Sequence, residues 1–212
     1  MIDWKELSNE IRQAMPDLKI LDEEPLARHM SFRIGGPAAI FAQPATVDEL
    51  SKLLRFLAAR GISLRILGAG TNVLAPDEGL REVVICTKDA LTGLCDLGGG
   101  KIEAFAGETL SKTAVFARNL SLTGLEFAHG IPGTVGGGIY MNAGAYGGEM
   151  KQVAMETMVL TMDGETQVFA GEAQGFSYRT SAFEKLPVII VKTIFQLAPG
   201  DKEEISARMQ EL

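Results

Sequence analysis

At 212 residues the chain is long enough to bury a sizeable core as one or two domains. Its hydrophobic fraction of 46% and charged fraction of 22% are those of an ordinary globular protein and exclude a disordered or low-complexity chain. The net charge of −7 argues against a general nucleic-acid binder, because affinity for a polyanion rests on lysine and arginine neutralising phosphates, while leaving room for a nucleotide held by backbone amides.

The N-terminal stretch MIDWKELSNEIRQAM is amphipathic and of mixed charge. It lacks the basic start and apolar centre of a secretory signal, so a cytoplasmic protein is expected. Thr46–Arg60 carries Leu50, Leu53, Leu54 and Leu57 at helical spacing, a Thr46/Glu49 capping box, and Gly61 where a helix ends. SLRILG, GAGTNVLA and EVVICT then read as strand, glycine loop and strand, and a helix joined to buried strands is an α/β unit.

A second unit starts at KIEAFAG, a strand, and continues into TLSKTAVFARNLSL, where Leu110, Ala114, Phe116, Ala117 and Leu120 mark a helical face before Gly124 interrupts it. Between the units, LTGLCDLGGGK has a turn composition that suits either a connection between domains or a hairpin within one. METMVLTMDGETQVFA predicts two strands around a two-residue turn at Asp163-Gly164. LPVIIVKTIFQL is a further strand, and the apolar run containing it is too short to span a bilayer and is broken by Lys192. No membrane helix is expected. The tail GDKEEISARMQEL begins a helix with Asp201 as its cap.

Cys86 and Cys95 lack the paired spacing of a zinc or redox site and are read as buried thiols. His29 and His129 are the only histidines and stand in no HExxH arrangement, so no metal site is expected.

Two glycine segments compete as phosphate sites. Gly68-Ala69-Gly70-Thr71-Asn72 follows a strand, and GIPGTVGGG runs from Gly130 to Gly138. Either offers amides that a phosphate can approach closely, with Thr71, Asn72 and Thr134 adding polar side chains; either also suits tight packing without a ligand. A helix starting near Thr134 would add its N-terminal amides. Val73 stands where a GxGxxG fingerprint needs its third glycine, and no GxxxxGK[ST] occurs, so a Rossmann or P-loop domain is disfavoured. FSYRTSAF sets Tyr178 and Arg179 among apolar residues. An arginine fork suits a carboxylate or a developing negative charge, although a plain surface arginine reads the same way.

SFRIGGPAAIFAQP, LGAGTNVLAPDEGLREVVI, LTGLEFAHGIPGTVGGGIYMNAGAYGGEM and SYRTSAF occur in the order found in bacterial UDP-N-acetylenolpyruvoylglucosamine reductases, also called UDP-N-acetylmuramate dehydrogenases, and the resemblance runs from about Leu26 to the C-terminus. It implies an α+β protein of two α/β subdomains carrying the vanillyl-alcohol-oxidase-like FAD-binding fold in place of a Rossmann domain. Residues 1–90 and 91–200 would form the two FAD-binding subdomains, and residues 201–212 the start of a helix leading to a third. The resemblance implies FAD as cofactor, NADPH as hydride donor, a UDP-sugar substrate and a part in peptidoglycan precursor synthesis, with neither nucleic acid nor membrane as partner.

By position, Gly68, Ala69, Gly70, Thr71 and Asn72 would approach the pyrophosphate. Gly133, Thr134 and Gly137, with their neighbours Gly130, Pro132, Asn142 and Gly144, would contact the flavin side. Arg179 matches the family's active-site arginine, which binds the substrate carboxylate, and Tyr178 would orient beside it. Relatives continue past the terminal helix into a third domain that carries a serine or cysteine proton donor and a glutamate, neither of which maps onto this chain, which ends at Leu212. Two other readings stay open: a flavin-binding module without turnover of its own, and another oxidoreductase on the same fold.

Overall fold

The computed structural model describes residues 2–212. Helix α1 (Trp4–Ala14) starts at Asp3, whose carboxylate accepts from the amides of Lys5 and Glu6, and it buries Leu7 and Ile11. Strand β1 (Lys19–Pro25) pairs antiparallel with β2 (Pro37–Gln43). Helix α2 (Val47–Ala58) carries the chain to β3 (Leu64–Leu67), and β4 (Leu80–Cys86) then inserts between β2 and β3, parallel to both. The resulting sheet has the order β1-β2-β4-β3.

The predicted cap of α2 is present with one change. Thr46 accepts from the Glu49 amide at 3.1 Å, but the Glu49 carboxylate returns to the amide of Ala45, one residue earlier than a capping box requires. All four predicted leucines are buried.

The central strands β2 and β4 are buried on both faces, which is why they read as continuous apolar runs rather than alternating ones. Ile40, Ala42, Val83 and Ile85 enter the main core, while Phe41, Val84 and Cys86 point to a smaller one with Leu26 and Met30. The turn around Leu26–Arg28 therefore serves as the lid of that second core, and the residues just after it are held against the sheet.

Strands β5 (Leu94–Gly98) and β6 (Lys101–Phe105) form an antiparallel hairpin, which decides the open choice for LTGLCDLGGGK: it lies within a sheet. Helix α3 (Leu110–Asn119) follows, capped by Thr109 and burying Leu110, Thr113, Ala114 and Ala117. Phe116 and Leu120, placed on its buried face from the sequence, pack at the margin of the core. Next come the two-residue strand β7 (Leu122–Thr123), the short helix α4 (Val135–Tyr140), and a small β8 (Gly144–Ala145) and β9 (Gly148–Glu149) hairpin.

Strand β10 (Ala154–Thr161) pairs antiparallel with β11 (Thr166–Ala170) and with β12 (Val188–Gln196), giving a sheet of order β11-β10-β12-β6-β5. The β10–β11 connection is one residue longer than the two-residue turn expected. Thr161 pairs with Glu165, and the Gly164 amide donates to the Thr161 carbonyl, so Met162, Asp163 and a left-handed Gly164 make a three-residue loop. Helix α2 reaches this loop, with Ser51 donating to the Gly164 carbonyl at 2.8 Å and Arg55 pairing with Glu165 at 2.9 Å. After β13 (Ala198–Pro199), which pairs with β7, helix α5 (Lys202–Glu211) starts at Asp201 as predicted and packs Ile205 and Met209 into the main core.

Cys86 is buried, and burial pushes its thiol up to about 11. Cys95 is exposed, contrary to expectation, because β5 is an edge strand and turns that side chain to solvent.

Candidate functional site

The parallel strands β2, β4 and β3 run in one direction, so their carboxyl ends meet at one edge of the sheet. Gln43, Cys86 and Gly68, at or just beyond those ends, line a cleft of about 590 Å³. That edge is where open α/β sheets bind ligands, because the connecting loops splay apart there, and the volume is that of a small-molecule site. Ile131, Pro132 and Gly133 of the second glycine segment form the opposite wall. The two segments touch: the Thr71 hydroxyl donates to the Pro132 carbonyl at 2.8 Å, and a Cβ on Gly68 would lie 2.6 Å from Thr134 Oγ1.

Among the described residues, no acceptor takes the amides of Gly68 through Asn72, whereas the Gly70 carbonyl is held by the amide and hydroxyl of Ser31 at 3.0 and 3.2 Å. A run of free amides with a carbonyl fixed elsewhere is an anion-receiving arrangement. Gly70 itself answers a packing need. Its φ is +63°, and a Cβ there would sit 2.1 Å from the His29 carbonyl oxygen. The loop thus rests on the segment 28–31, which supplies Arg28, His29, Met30 and Ser31 to the cleft. His29 is fixed by its Nε2 contact to Glu24 at 3.0 Å and by stacking on Phe41 at 4.1 Å between ring centroids.

The structure divides the sequence candidates. Gly68, Ala69, Thr71, Pro132 and Gly133 line the cleft, with Gly70 packed behind it and Asn72 exposed beside it. Thr134 is buried at 1% exposure and works as the cap of α4, accepting from the Gly137 amide at 3.4 Å. The helix N-terminus proposed as an anion site is closed: the Val135 and Gly136 amides donate to the Glu108 and Ala106 carbonyls at 2.8 and 2.9 Å. Gly144 answers a contact within the protein, since a Cβ there would meet the Gly148 carbonyl oxygen at 2.6 Å. Asn142, 1% exposed, also faces protein: its Nδ2 donates to Glu149 and to the Ser177 carbonyl, both at 2.9 Å, and its Oδ1 accepts from the Lys151 amide at 2.9 Å.

Gly130, Gly137 and Tyr140 are exposed and Gly133 half-exposed. Gly137 and Tyr140, three residues apart, share the exposed face of α4, so that face is nearly bare backbone before Tyr140. Its six residues rise about 9 Å. At its far end stands the turn Ser177–Thr180, closed by bonds of 3.0 and 3.3 Å between those two residues. The turn presents Tyr178, 86% exposed, and Arg179, whose φ is +55°. The Arg179 guanidinium makes no ion pair among the described residues and lies 5.8 Å from the Tyr178 ring centroid. Burial, then the Glu184 carboxylate, push the nearby Tyr140 phenol upward in pKa.

Sequence reasoning missed Arg28, His29, Ser31 and Lys88, all on the cleft wall. Ser31 opens the SFRIGG segment, while Arg28, His29 and Lys88 stand in no motif. No group of three or more His, Cys, Asp or Glu among the described residues is placed to hold a metal, and no helix is long and apolar enough to cross a membrane.

Fold and cleft define a flavoprotein FAD-binding domain of the vanillyl-alcohol-oxidase-like type, distinct from a Rossmann fold. Residues 38–170 match the family model described as an FAD binding domain. The 6-hydroxy-D-nicotine oxidase of Arthrobacter nicotinovorans shares the fold at a TM-score of 0.67 and 13% identity, over 86% of this chain and 42% of that one.

Within that class the chain belongs to the UDP-N-acetylenolpyruvoylglucosamine reductase family. It is 41% identical to the reductase of Carboxydothermus hydrogenoformans over 91% of this chain and 63% of that protein. It is similar to the crystal structure of the Thermus caldophilus reductase at a TM-score of 0.76 and 33% identity, over 92% of this chain and 67% of that one. The chain thus spans about two thirds of the length of these relatives.

Proposed function

We propose that this chain is the FAD-holding part of an NADPH-dependent reductase that converts UDP-N-acetylenolpyruvoylglucosamine to UDP-N-acetylmuramate for peptidoglycan precursor synthesis in the cytoplasm. Its two lobes, residues 1–90 and 91–200, hold the dinucleotide between them, and residues 201–212 lead toward the part that completes the substrate site. The observation that carries this reading is the free run of amides from Gly68 to Asn72, on a loop whose Gly68, Ala69 and Thr71 line one cleft with Pro132 and Gly133.

The residues present fit FAD. A diphosphate suits the free amides; Arg28 and Lys88 also line the cleft, paired with Glu24 at 3.4 Å and with the cleft-lining Asp89 at 3.8 Å, so the amides are its main anion partners. The outward face of α4 carries almost no side-chain bulk before Tyr140, so a flat ring system can lie along it. When bound, FAD supplies two-electron redox chemistry linking NADPH to the enolpyruvyl group. The chain's own residues orient and stabilise. Thr71 and Thr134 keep the two glycine segments in contact, His29 and Ser31 hold the amide run from behind, and Arg179 offers a planar donor fork to the substrate carboxylate and to negative charge developing beside it. Tyr178 flanks that fork.

Titrating the purified chain with FAD tests the reading: binding with altered flavin absorbance supports it, and a folded chain that takes up no FAD overturns it. Adding the remaining third as a separate polypeptide and measuring enolpyruvyl-sugar-dependent NADPH oxidation tests the reaction itself.

A further inference from the structure

Arg179 poses a structural problem. It is exposed, holds a left-handed backbone conformation that an arginine does not choose unaided, and sits on a turn of only four residues. Bonds local to that turn run between Ser177 and Thr180 and from the Thr180 hydroxyl to the Glu184 carboxylate. Two further bonds reach across the fold. Asn142 Nδ2 donates to the Ser177 carbonyl at 2.9 Å, and the Ser181 hydroxyl donates to the Tyr140 carbonyl at 2.8 Å. They grip the turn on either side of Arg179, and both partners come from the C-terminal end of α4, Tyr140 being its last residue. Asn142 and Ser181 are 1% and 3% exposed, so water competes poorly for either bond. Asn142 is itself fixed by Glu149 and the Lys151 amide.

We propose that Asn142 and Ser181 are positioning residues that lock the Arg179 turn onto the end of α4, making the bare face of that helix and the substrate-facing cation one rigid unit. The inference rests on the reading of Arg179 as the group that meets the substrate carboxylate. It also gives Asn142 and Ser181 a role without direct contact to cofactor or substrate. An arginine fork works only where its geometry is held, and an exposed four-residue turn does not hold it alone.

The test compares Asn142→Asp, Ser181→Ala and Ser181→Thr in the 212-residue chain. Asn142→Asp keeps the acceptor for the Lys151 amide but loses the donor to Ser177 and adds a charge beside Glu149. Ser181→Thr keeps the hydroxyl. Amide hydrogen exchange at Ser177 and Thr180 is expected to quicken at least about tenfold in Asn142→Asp and Ser181→Ala and to return toward the unmodified rate in Ser181→Thr, with FAD affinity within about twofold throughout. With the remaining third supplied as a separate polypeptide, added UDP-N-acetylenolpyruvoylglucosamine should perturb the flavin spectrum of the FAD-loaded chain with about tenfold weaker apparent affinity in the first two variants.

Unchanged exchange at the turn in both variants would overturn the proposal. So would exchange quickening evenly over the whole chain while FAD and sugar affinities fall together. If Asn142→Asp does not fold, the Ser181 pair decides alone. If the unmodified chain binds neither FAD nor the sugar, the functional reading fails, and the exchange measurement still decides whether the two residues hold the turn.

Discussion

Gly133→Ala separates a glycine kept for a ligand from one kept for packing. A Cβ on Gly133 would meet Thr71 Oγ1 at 3.8 Å and Leu110 Cδ1 at 3.9 Å, ordinary contact distances, and the backbone there is not left-handed. The protein itself therefore has no steric objection to alanine, and reduced freedom of the unfolded chain should raise stability by about 0.4–1 kcal/mol. Gly133 nevertheless lines the cleft. If a diphosphate or flavin edge lies against it, the methyl group costs close approach and one hydrogen bond to a charged group, about 1.5–3 kcal/mol, which is roughly 10- to 150-fold in affinity. Urea unfolding monitored by circular dichroism gives the first quantity, and FAD fluorescence titration the second. Full FAD affinity in a folded Gly133→Ala chain of undiminished stability would refute the assignment of that wall to the cofactor.

Gly70→Ala should behave in the opposite way: a Cβ 2.1 Å from a backbone carbonyl at φ +63° has nowhere to go, so the chain should lose more than about 3 kcal/mol in the same unfolding assay, and an unaltered midpoint would show that the 28–31 wall yields easily. Arg179→Lys should leave FAD affinity within about twofold yet slow sugar-dependent NADPH oxidation about 10²- to 10³-fold when the remaining third is supplied, because a point cation cannot replace the fork; equal rates would remove Arg179 from its assigned role. Burial holds the Cys86 thiol protonated up to about 11, so the unfolded chain gives up that proton first as pH rises. Stability should then fall between the usual thiol value and about 11, by at most about 2–3 kcal/mol, and Cys86→Ala should flatten that part of the curve. In the native chain at neutral pH, iodoacetamide should label Cys95 and spare Cys86, as peptide mass spectrometry would read directly.

Elements with one strong local signal were legible in the sequence. The four leucines and the cap of α2 specify that helix without help from the rest of the fold, and the apolar runs of β4 and β12 specify buried strands. Errors came where a single residue of register or a distant partner decides. Asp163-Gly164 signals a hairpin, but the loop length follows from the pairing of Thr161 with Glu165 and from the contacts that α2 makes to Gly164. The site was legible as glycine-rich backbone, and the structure separates its uses. Gly70 and Gly144 are small because neighbouring backbone crowds them, whereas Gly133 is small with open space in front of it, a difference no spacing rule can express. Likewise the closed N-terminus of α4 depends on Ala106 and Glu108, nearly thirty residues upstream, and the buried commitments of Asn142 depend on Ser177, 35 residues downstream. Arg28, His29 and Lys88 reach the cleft because the turn over the second core and the end of β4 deliver them there, which is a property of the assembled sheet.

A crystal structure of this chain loaded with FAD tests the central claim most directly. The account predicts diphosphate oxygens within about 2.7–3.2 Å of the amides between Gly68 and Asn72, with the ring system along Gly133 and Gly137 toward Arg179. A diphosphate bound elsewhere, or those amides turned to water beside a bound flavin, would contradict it.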